Sequence, residues 1–167
     1  YNRDIPEMLY SLGKKLQSND RHEEAINVYK KAIYINRINN GLYSLSQETS
    51  LQAIIERQKI QGKIKEVAGN YSQLLQIYRK NYKENNPSFL DMIDELSHWS
   101  IKAYAQTGGR DDVYHLEAAF DLYTDTIRIL SEQNGELHPS LLSPLNQLAI
   151  TCYYLSVHKR RFPDYGE

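Results

Sequence analysis

The spacing of its apolar residues constrains this chain more than any other feature of the sequence. Apolar side chains recur at intervals of three and four residues, as in Ala25, Tyr29, Ala32 and Ile33, and not at alternate positions. Such spacing puts them on one face of an α-helix, whereas a half-buried strand requires alternation. The pattern predicts an all-α fold without strands, with about seven helices over residues 6–17, 22–38, 46–61, 63–82, 87–106, from just after 112 to 133, and 140–157.

The residues between these segments favour helix ends and turns. We interpret Asp20 as the N-cap of the second helix, with Glu23 completing a capping box. Residues 39–41 (Asn-Asn-Gly) suit the end of that helix because they tolerate a left-handed conformation. Pro144 lies inside the seventh pattern, so that helix either starts there, capped by Ser143, or is kinked.

Composition limits the class of protein. A chain of 167 residues is enough for one domain with a sizeable core. No apolar run approaches the ~20 residues of a membrane span, and a single Cys excludes an internal disulfide framework. A net charge of −1 argues against general nucleic-acid binding. We expect a chain that opens at Tyr1 to be a processed or trimmed product, and the sequence leaves its compartment open.

Charge is divided unevenly along the chain. Residues 1–83 carry a net charge of +6, and residues 84–167 carry −7. In an elongated fold this division would form an electrostatic dipole able to orient a charged partner. The alternative is that solvated helix faces differ in sign by chance.

Helices come in pairs, and the first pair carries a recognisable pattern. Leu9, Leu12-Gly13, Ala25, Tyr29 and Ala32 resemble the tetratricopeptide repeat (TPR), in which small residues let paired helices approach closely. The later pairs match it more weakly, through Gly62, Tyr71, Tyr104, Gly108, Ala119 and Tyr123.

Two Pro-containing steps resemble a particular variety of this repeat. Asn86-Pro87 and His138-Pro139 each precede a predicted helix, as in the longer repeats of kinesin light chains, which have roughly 42 residues. The resemblance implies a single TPR-like helical superhelix over residues 1–157, with repeats at about 6–39, 46–85 and 87–134, a half repeat at 140–157, and a polar tail at 158–167.

No residue pattern indicates catalysis, a metal site or a cofactor. None of the five His residues lies three or four positions from another, as a helix-borne metal site requires, and we expect all five to be surface or capping residues. Cys152 is expected to be a buried, inert thiol. Carboxylate pairs such as Asp91 and Asp94 are typical of a solvated helix face. We therefore predict that the chain is not an enzyme.

The TPR resemblance implies a peptide-binding groove lined by the first helix of each pair. Its register assigns a mixed set of amides, charges and tyrosines to this groove: Tyr10, Lys14, Gln17, Gln52, Glu56, Lys59, Glu95, His98, Lys102, Asn146, Tyr153 and Tyr154. Such groups suit an extended peptide, which needs hydrogen-bond partners and aromatic anchors.

The predicted function is a non-catalytic scaffold that binds a protein or peptide, with no nucleic acid and no membrane span. Two alternatives stay open. The oppositely charged halves could drive self-association into a homo-oligomer. The chain could also be a sensor or regulatory part of a larger protein.

Overall fold

The structure is a computed structural model of the 167-residue chain, and it describes residues 4–163. This part of the chain contains no strand and seven α-helices, which confirms the all-α prediction. The helices are α1 (Ile5–Ser18), α2 (His22–Asn40), α3 (Glu48–Ile60), α4 (Ile64–Asn81), α5 (Pro87–Thr107), α6 (Tyr114–Asn134) and α7 (Leu142–Arg161). Short 3₁₀ turns at Leu45–Gln47, Arg110–Val113 and Pro139–Leu141 precede α3, α6 and α7.

The chain divides into two compact units, Tyr1–Tyr82 and Lys83–Glu167. In unit 1, α1 packs on α2, α2 on α3 and α3 on α4. In unit 2, α6 packs between α5 and α7, and α7 also contacts α5. Within each unit, every helix thus packs on its neighbours in sequence, which is the arrangement of helical repeats. The single repeat domain over residues 1–157 stays a prediction.

In the first helix pair, a tyrosine ring of α2 packs directly against a glycine of α1. Tyr29 and Ala25 on α2 are fully buried, and Gly13 on α1 is buried as well. A Cβ atom at Gly13 would lie only 2.8 Å from Cδ1 of Tyr29. The small residue that the repeat pattern placed at position 13 is therefore required, because the ring occupies the space of a side chain.

The turn between α1 and α2 corrects the predicted N-cap. Asp20 has φ 59°, and Arg21 N donates to Leu16 O at 3.0 Å, so Asp20 ends α1 in a left-handed conformation. Its side chain does not cap α2, whose N-cap position is occupied by Arg21. Gly62 repeats this geometry at φ 68° after α3. The prediction failed because Asp is common both at helix N-caps and at left-handed positions after a helix. The local sequence does not distinguish these two roles.

The segments that lead into α3, α5 and α7 share one cap. The side chains of Ser44, Asn86 and His138 each accept a hydrogen bond from the backbone N–H two residues later. This cap satisfies an amide that the helix itself leaves unpaired. Because the three cap residues are equivalent, they also align α3, α5 and α7 with one another residue by residue.

The end of the described chain differs from its prediction. Helix α7 continues four residues past the predicted end at 157, and His158, which we expected to start a polar tail, is only 1% exposed. His158 is buried because its Nδ1 lies 3.0 Å from the Tyr104 hydroxyl on α5. Pro144 is buried in the first turn of α7, where a proline costs no hydrogen bond. Residues 164–167 lie outside the described part.

Among the described residues, no helix combines the length and the apolar character that crossing a membrane requires.

We predict opposite effects for alanine at two helical glycines of unit 1. Gly13→Ala should lower the free energy of unfolding by about 1–3 kcal/mol because the new methyl group collides with the Tyr29 ring. Gly69→Ala in α4 should raise it by about 0.5–1 kcal/mol, because nothing lies within 4 Å and alanine favours the helix. Urea unfolding followed by circular dichroism measures both. A Gly13→Ala chain as stable as wild type would contradict the packing described.

Candidate functional site

The predicted groove residues fall into two sets, one in each unit. Surface 1 comprises Tyr10, Lys14 and Gln17 on α1 with Gln52, Glu56 and Lys59 on α3. Surface 2 comprises Glu95, His98 and Lys102 on α5 with Asn146, Tyr153 and Tyr154 on α7. All twelve side chains are exposed or half-buried. Their role in binding stays a prediction.

On surface 1, Gln17 connects three helices. Its amide oxygen accepts a hydrogen bond from Arg57 Nε of α3 at 2.8 Å, and its amide nitrogen donates to the Tyr29 hydroxyl of α2 at 3.0 Å. Beside it, the Tyr10 ring centroid lies 5.6 Å from that of Tyr29, and Lys14 Nζ lies 5.9 Å from the Tyr10 centroid. The buried Tyr29 thus contacts both Gln17 and Tyr10 of surface 1.

The α3 part of surface 1 is held in a similar way. Lys59 Nζ lies 2.8 Å from Glu56 Oε1 and 5.2 Å from the centroid of the buried Tyr71 ring on α4. Gln52 Nε2 donates to Glu48 Oε1 at 3.4 Å. The ammonium group thus contacts a carboxylate and an aromatic face, and both interactions reduce the entropy that binding would cost.

On surface 2, His98 lies between a tyrosine and a carboxylate. The Tyr123 hydroxyl of α6 is 3.1 Å from His98 Nδ1, and Asp94 Oδ1 is 3.4 Å from the same nitrogen. Burial, together with the charge of Asp94, raises the pKa of Tyr123, and burial likewise raises the pKa of Tyr29. Both hydroxyls therefore keep their protons at neutral pH and can act as hydrogen-bond donors.

Tyrosines dominate the α7 part of surface 2. The Tyr154 ring centroid lies 6.2 Å from that of Tyr104 and 5.7 Å from that of Tyr153. Tyr153 is 62% exposed, so most of its ring faces solvent. Asn146, Glu95 and Lys102 are exposed. The α7 part of surface 2 therefore offers aromatic contact area, whereas the charged Glu95 and Lys102 lie on α5.

Sequence reasoning missed two residues that belong to these surfaces. Arg57 orients Gln17, and Asp94 contacts His98. Tyr10 and Gln52 are 42 positions apart, and a further 42 positions lead to Asp94, not to the Glu95 assigned from the register. The regular spacing was thus the signal that could have found Asp94.

Three expectations for single residues are wrong. His115 and His158 are buried, at 2% and 1% exposure, although we expected surface or capping histidines. Only His138 is a capping residue with an exposed side chain, as expected. Cys152 is exposed, although we expected a buried thiol. Trp99, which the sequence left unplaced, is half-buried, and its ring centroid lies 5.4 Å from that of His115.

Within residues 4–163, no three His, Cys, Asp or Glu side chains are arranged to hold a metal ion. The carboxylates Asp91 and Asp94 are exposed and three residues apart on α5. The groups that surfaces 1 and 2 present are hydrogen-bonding side chains, paired charges and aromatic faces.

Comparison with known proteins supports the fold. No family model and no curated protein matches the sequence. Among solved structures, the chain is similar to the nearly identical TPR-like repeats of a protein from Podosopora anserina described as a kinesin light chain. A Q17M form of those repeats superposes with a TM-score of 0.61 at 19% identity, covering 96% of this chain and 72% of that one. The other form gives 0.58 at 20%, covering 93% and 68%. The chain thus has a TPR-like helical-repeat fold.

We predict that His115 makes unit 2 less stable in acid. Burial lowers the pKa of His115 although Asp112 opposes the shift, and its Nε2 has no partner among the described residues. The unfolded chain therefore binds the proton at a higher pH than the folded one. Stability is complete above the ordinary histidine pKa of about 6.5 and falls as the pH drops below it.

His115→Phe keeps a ring between Trp99 and Tyr114 and removes the titration. Urea unfolding at pH 7.5 and pH 5 should show a smaller loss of stability in this variant than in wild type. An equal loss in both proteins would show that other groups cause the acid sensitivity.

Proposed function

We propose that this chain is a non-catalytic scaffold whose surface 1 and surface 2 each bind a peptide or protein segment. One observation carries the proposal. In both units, residues of the first helix are held in position by a buried tyrosine of the second helix, as Gln17 is by Tyr29 and His98 by Tyr123. These contacts hold Gln17 and His98 in one orientation before a partner binds, which lowers the entropy cost of binding.

The chemistry of the two surfaces suits an extended peptide. Gln52, Asn146 and Lys102 can hydrogen-bond to the peptide backbone, which carries a donor and an acceptor at nearly every residue. Tyr10 and Tyr153 offer aromatic area for its side chains, and tyrosine is enriched at binding hot spots. Because the helices are folded before binding, most of the ordering cost falls on the peptide alone.

A panel of peptides tests this proposal without a known partner. A displayed library of random peptides is selected on the wild-type chain, and the enriched peptides are synthesised. Their affinities are then measured by fluorescence polarisation against wild type and against a variant carrying Tyr10→Ala, Lys102→Ala and Tyr154→Ala. We expect at least a ~10-fold weaker affinity for the variant, because truncated hot-spot residues cost more than about 1.4 kcal/mol.

A matched variant controls for nonspecific effects. Tyr34→Ala, Tyr43→Ala and Lys31→Ala change the same residue types at exposed positions of α2 and the segment after it. This control should bind the peptides like wild type, and circular dichroism should show all three proteins equally folded. Peptides that bind all three proteins equally, or a selection that enriches none, would contradict the proposal.

Self-association is the second candidate, and the division of charge supports it. The boundary between the two units at Tyr82 coincides with the change in sign: residues 1–82 contain 13 Lys and Arg against 8 acidic residues, and residues 83–167 contain 7 against 13. Unit 1 of one copy would then attract unit 2 of another.

Salt dependence tests this second candidate. Light scattering at increasing protein concentration should give a mass above 19.5 kDa at low salt and return to that mass by about 0.5 M salt, where charges are screened within a few ångströms. A mass of one chain at every salt concentration would exclude charge-driven assembly.

A further inference from the structure

Helix α2 and the segment after it expose four large apolar side chains in unit 1. Tyr34 and Ile38 lie one helical turn apart on α2 and are 65% and 45% exposed. Leu42 and Tyr43 follow directly after the helix and are 54% and 40% exposed. We refer to these four residues as the apolar patch. Single exposed apolar side chains are ordinary on a protein surface, whereas several close together mark an interaction site.

The equivalent positions of the other second helices are polar. One buried tyrosine in each second helix aligns α2 with α4 at an offset of 42 residues and with α6 at an offset of 94, namely Tyr29, Tyr71 and Tyr123. In this alignment, the counterparts of Tyr34 and Ile38 are the exposed residues Gln76, Lys80, Arg128 and Glu132. Packing between helices therefore does not require apolar side chains at these positions.

Neighbouring helix pairs leave this face uncovered. In unit 1, α2 is followed by the pair of α3 and α4, and Tyr34 and Ile38 are still exposed. Helix α4 is preceded by the pair of α1 and α2, and its equivalent residues Gln76 and Lys80 are exposed as well. Because neither a preceding nor a following pair reaches these positions, a further repeat would not bury Tyr34 and Ile38.

The loop that carries Leu42 and Tyr43 has its carbonyl groups satisfied from within the protein. The fully buried Gln47 donates from Nε2 to the carbonyl oxygen of Leu42 at 2.8 Å, and this nitrogen lies 3.3 Å from two further carbonyl oxygens of the loop. Asn81 Nδ2 of α4 donates to the carbonyl oxygen of Tyr43 at 2.6 Å. Unpaired backbone carbonyls are costly to remove from water, so these hydrogen bonds lower the cost of burying the loop in an apolar environment.

Basic residues lie beside the apolar patch on both second helices of unit 1. Lys30 and Lys31 are exposed one turn before Tyr34 on α2. Arg79 and Lys80 are exposed in the last turn of α4, next to the residue that holds the Tyr43 carbonyl. Residues 25–47 contain no Asp or Glu, and neither do residues 67–82. The apolar patch is therefore combined with positive charge.

The remaining polar groups of this region favour a lipid surface over a peptide as the occupant. Amides that could pair with a peptide backbone are bonded internally, since Asn36 Nδ2 donates to Ser46 O at 2.7 Å and Asn40 Nδ2 donates to Ser46 Oγ at 3.2 Å. The carboxylate of Glu48, at the start of α3, accepts the Tyr78 hydroxyl. Apolar area and positive charge are thus the main groups offered, and both are what an anionic membrane surface binds.

We propose that the apolar patch and its flanking basic residues attach unit 1 to an anionic membrane surface. Ile38 and Leu42 enter the boundary between headgroups and acyl chains, and the rings of Tyr34 and Tyr43 lie at the level of the headgroups, where tyrosine is enriched. The flanking lysines and arginine attract the anionic lipids. The chain lies on the membrane and does not cross it. This site shares no residue with surfaces 1 and 2.

Sedimentation with lipid vesicles tests the proposal. The whole 167-residue chain is mixed with phosphatidylcholine vesicles that contain about 30% phosphatidylserine, or with phosphatidylcholine vesicles alone. At about 0.1 M salt, we expect binding to the anionic vesicles to be at least ~10-fold stronger than to the neutral ones. Binding should weaken at about 0.5 M salt, where the attraction between charges is screened.

Two variants with the same change in composition locate the binding site. The first carries Tyr34→Ala, Tyr43→Ala and Lys31→Ala, and the second carries Tyr10→Ala, Tyr154→Ala and Lys102→Ala. Each loses two tyrosines and one lysine, so the two have equal net charge. The first should bind anionic vesicles at least ~10-fold more weakly, and the second should bind them like wild type. Circular dichroism shows whether both are folded.

A further substitution separates the apolar contribution from the charge. Leu42→Ser keeps the net charge and removes one exposed apolar side chain from the patch. Because binding at a membrane interface scales with the apolar area that is buried, this variant should also bind anionic vesicles more weakly than wild type.

Several results would overturn the proposal. One is a chain that does not sediment with anionic vesicles, and another is an equal loss of vesicle binding in the two triple variants. Unchanged binding of Leu42→Ser would reduce the attachment to charge alone. Selected peptides that lose affinity only when Tyr34, Tyr43 and Lys31 are replaced would assign this face to a peptide. Failure of the vesicle assay leaves the peptide proposal intact, because surfaces 1 and 2 are tested by the other variant.

Discussion

The close approach of paired helices is the constraint on which the rest of this structure depends. In the first pair, the Tyr29 ring lies on Gly13 with no room for a Cβ atom, and the fully buried Ala25 and Ala32 lie on either side of it along α2. A large ring packed over a glycine buries a large area while the two backbones stay close. The tyrosine therefore determines the distance and the rotation of one helix relative to the other.

The same tyrosines connect the core with the surface. A phenylalanine would fill the space equally well, but the hydroxyls of Tyr29 and Tyr123 extend to the edge of the first helix and hydrogen-bond to Gln17 and His98. Since a buried hydroxyl must find a partner, each core ring also orients one surface side chain. Packing and the candidate binding surfaces are thus consequences of one residue choice, repeated in both units.

Helix existence and pairing could be predicted from the sequence, because both follow from local periodicity. Seven predicted segments correspond to seven helices, and the small residue at position 13 is where the repeat pattern placed it. The predictions that failed depended on a distant contact in one case and on the geometry of a turn in another. The burial of His158 results from Tyr104, 54 residues away, and Asp20 changed its role because the turn required a left-handed residue. The 42-residue spacing from α1 through α3 to α5 leads to Asp94, where the predicted register gave Glu95, and the caps of α5 and α7 are 52 residues apart.

The exposure of Cys152 shows how a correct local pattern can give a wrong burial. The repeat pattern assigns this position to the interior, and Ser100 at the equivalent position of α5 is indeed buried. Burial requires a second element that covers the helix face, and α6 packs on α5. On α7 the same face, with Leu145 and Ala149, is exposed to solvent. The burial of position 152 thus depends on a second helix and not on the local pattern alone.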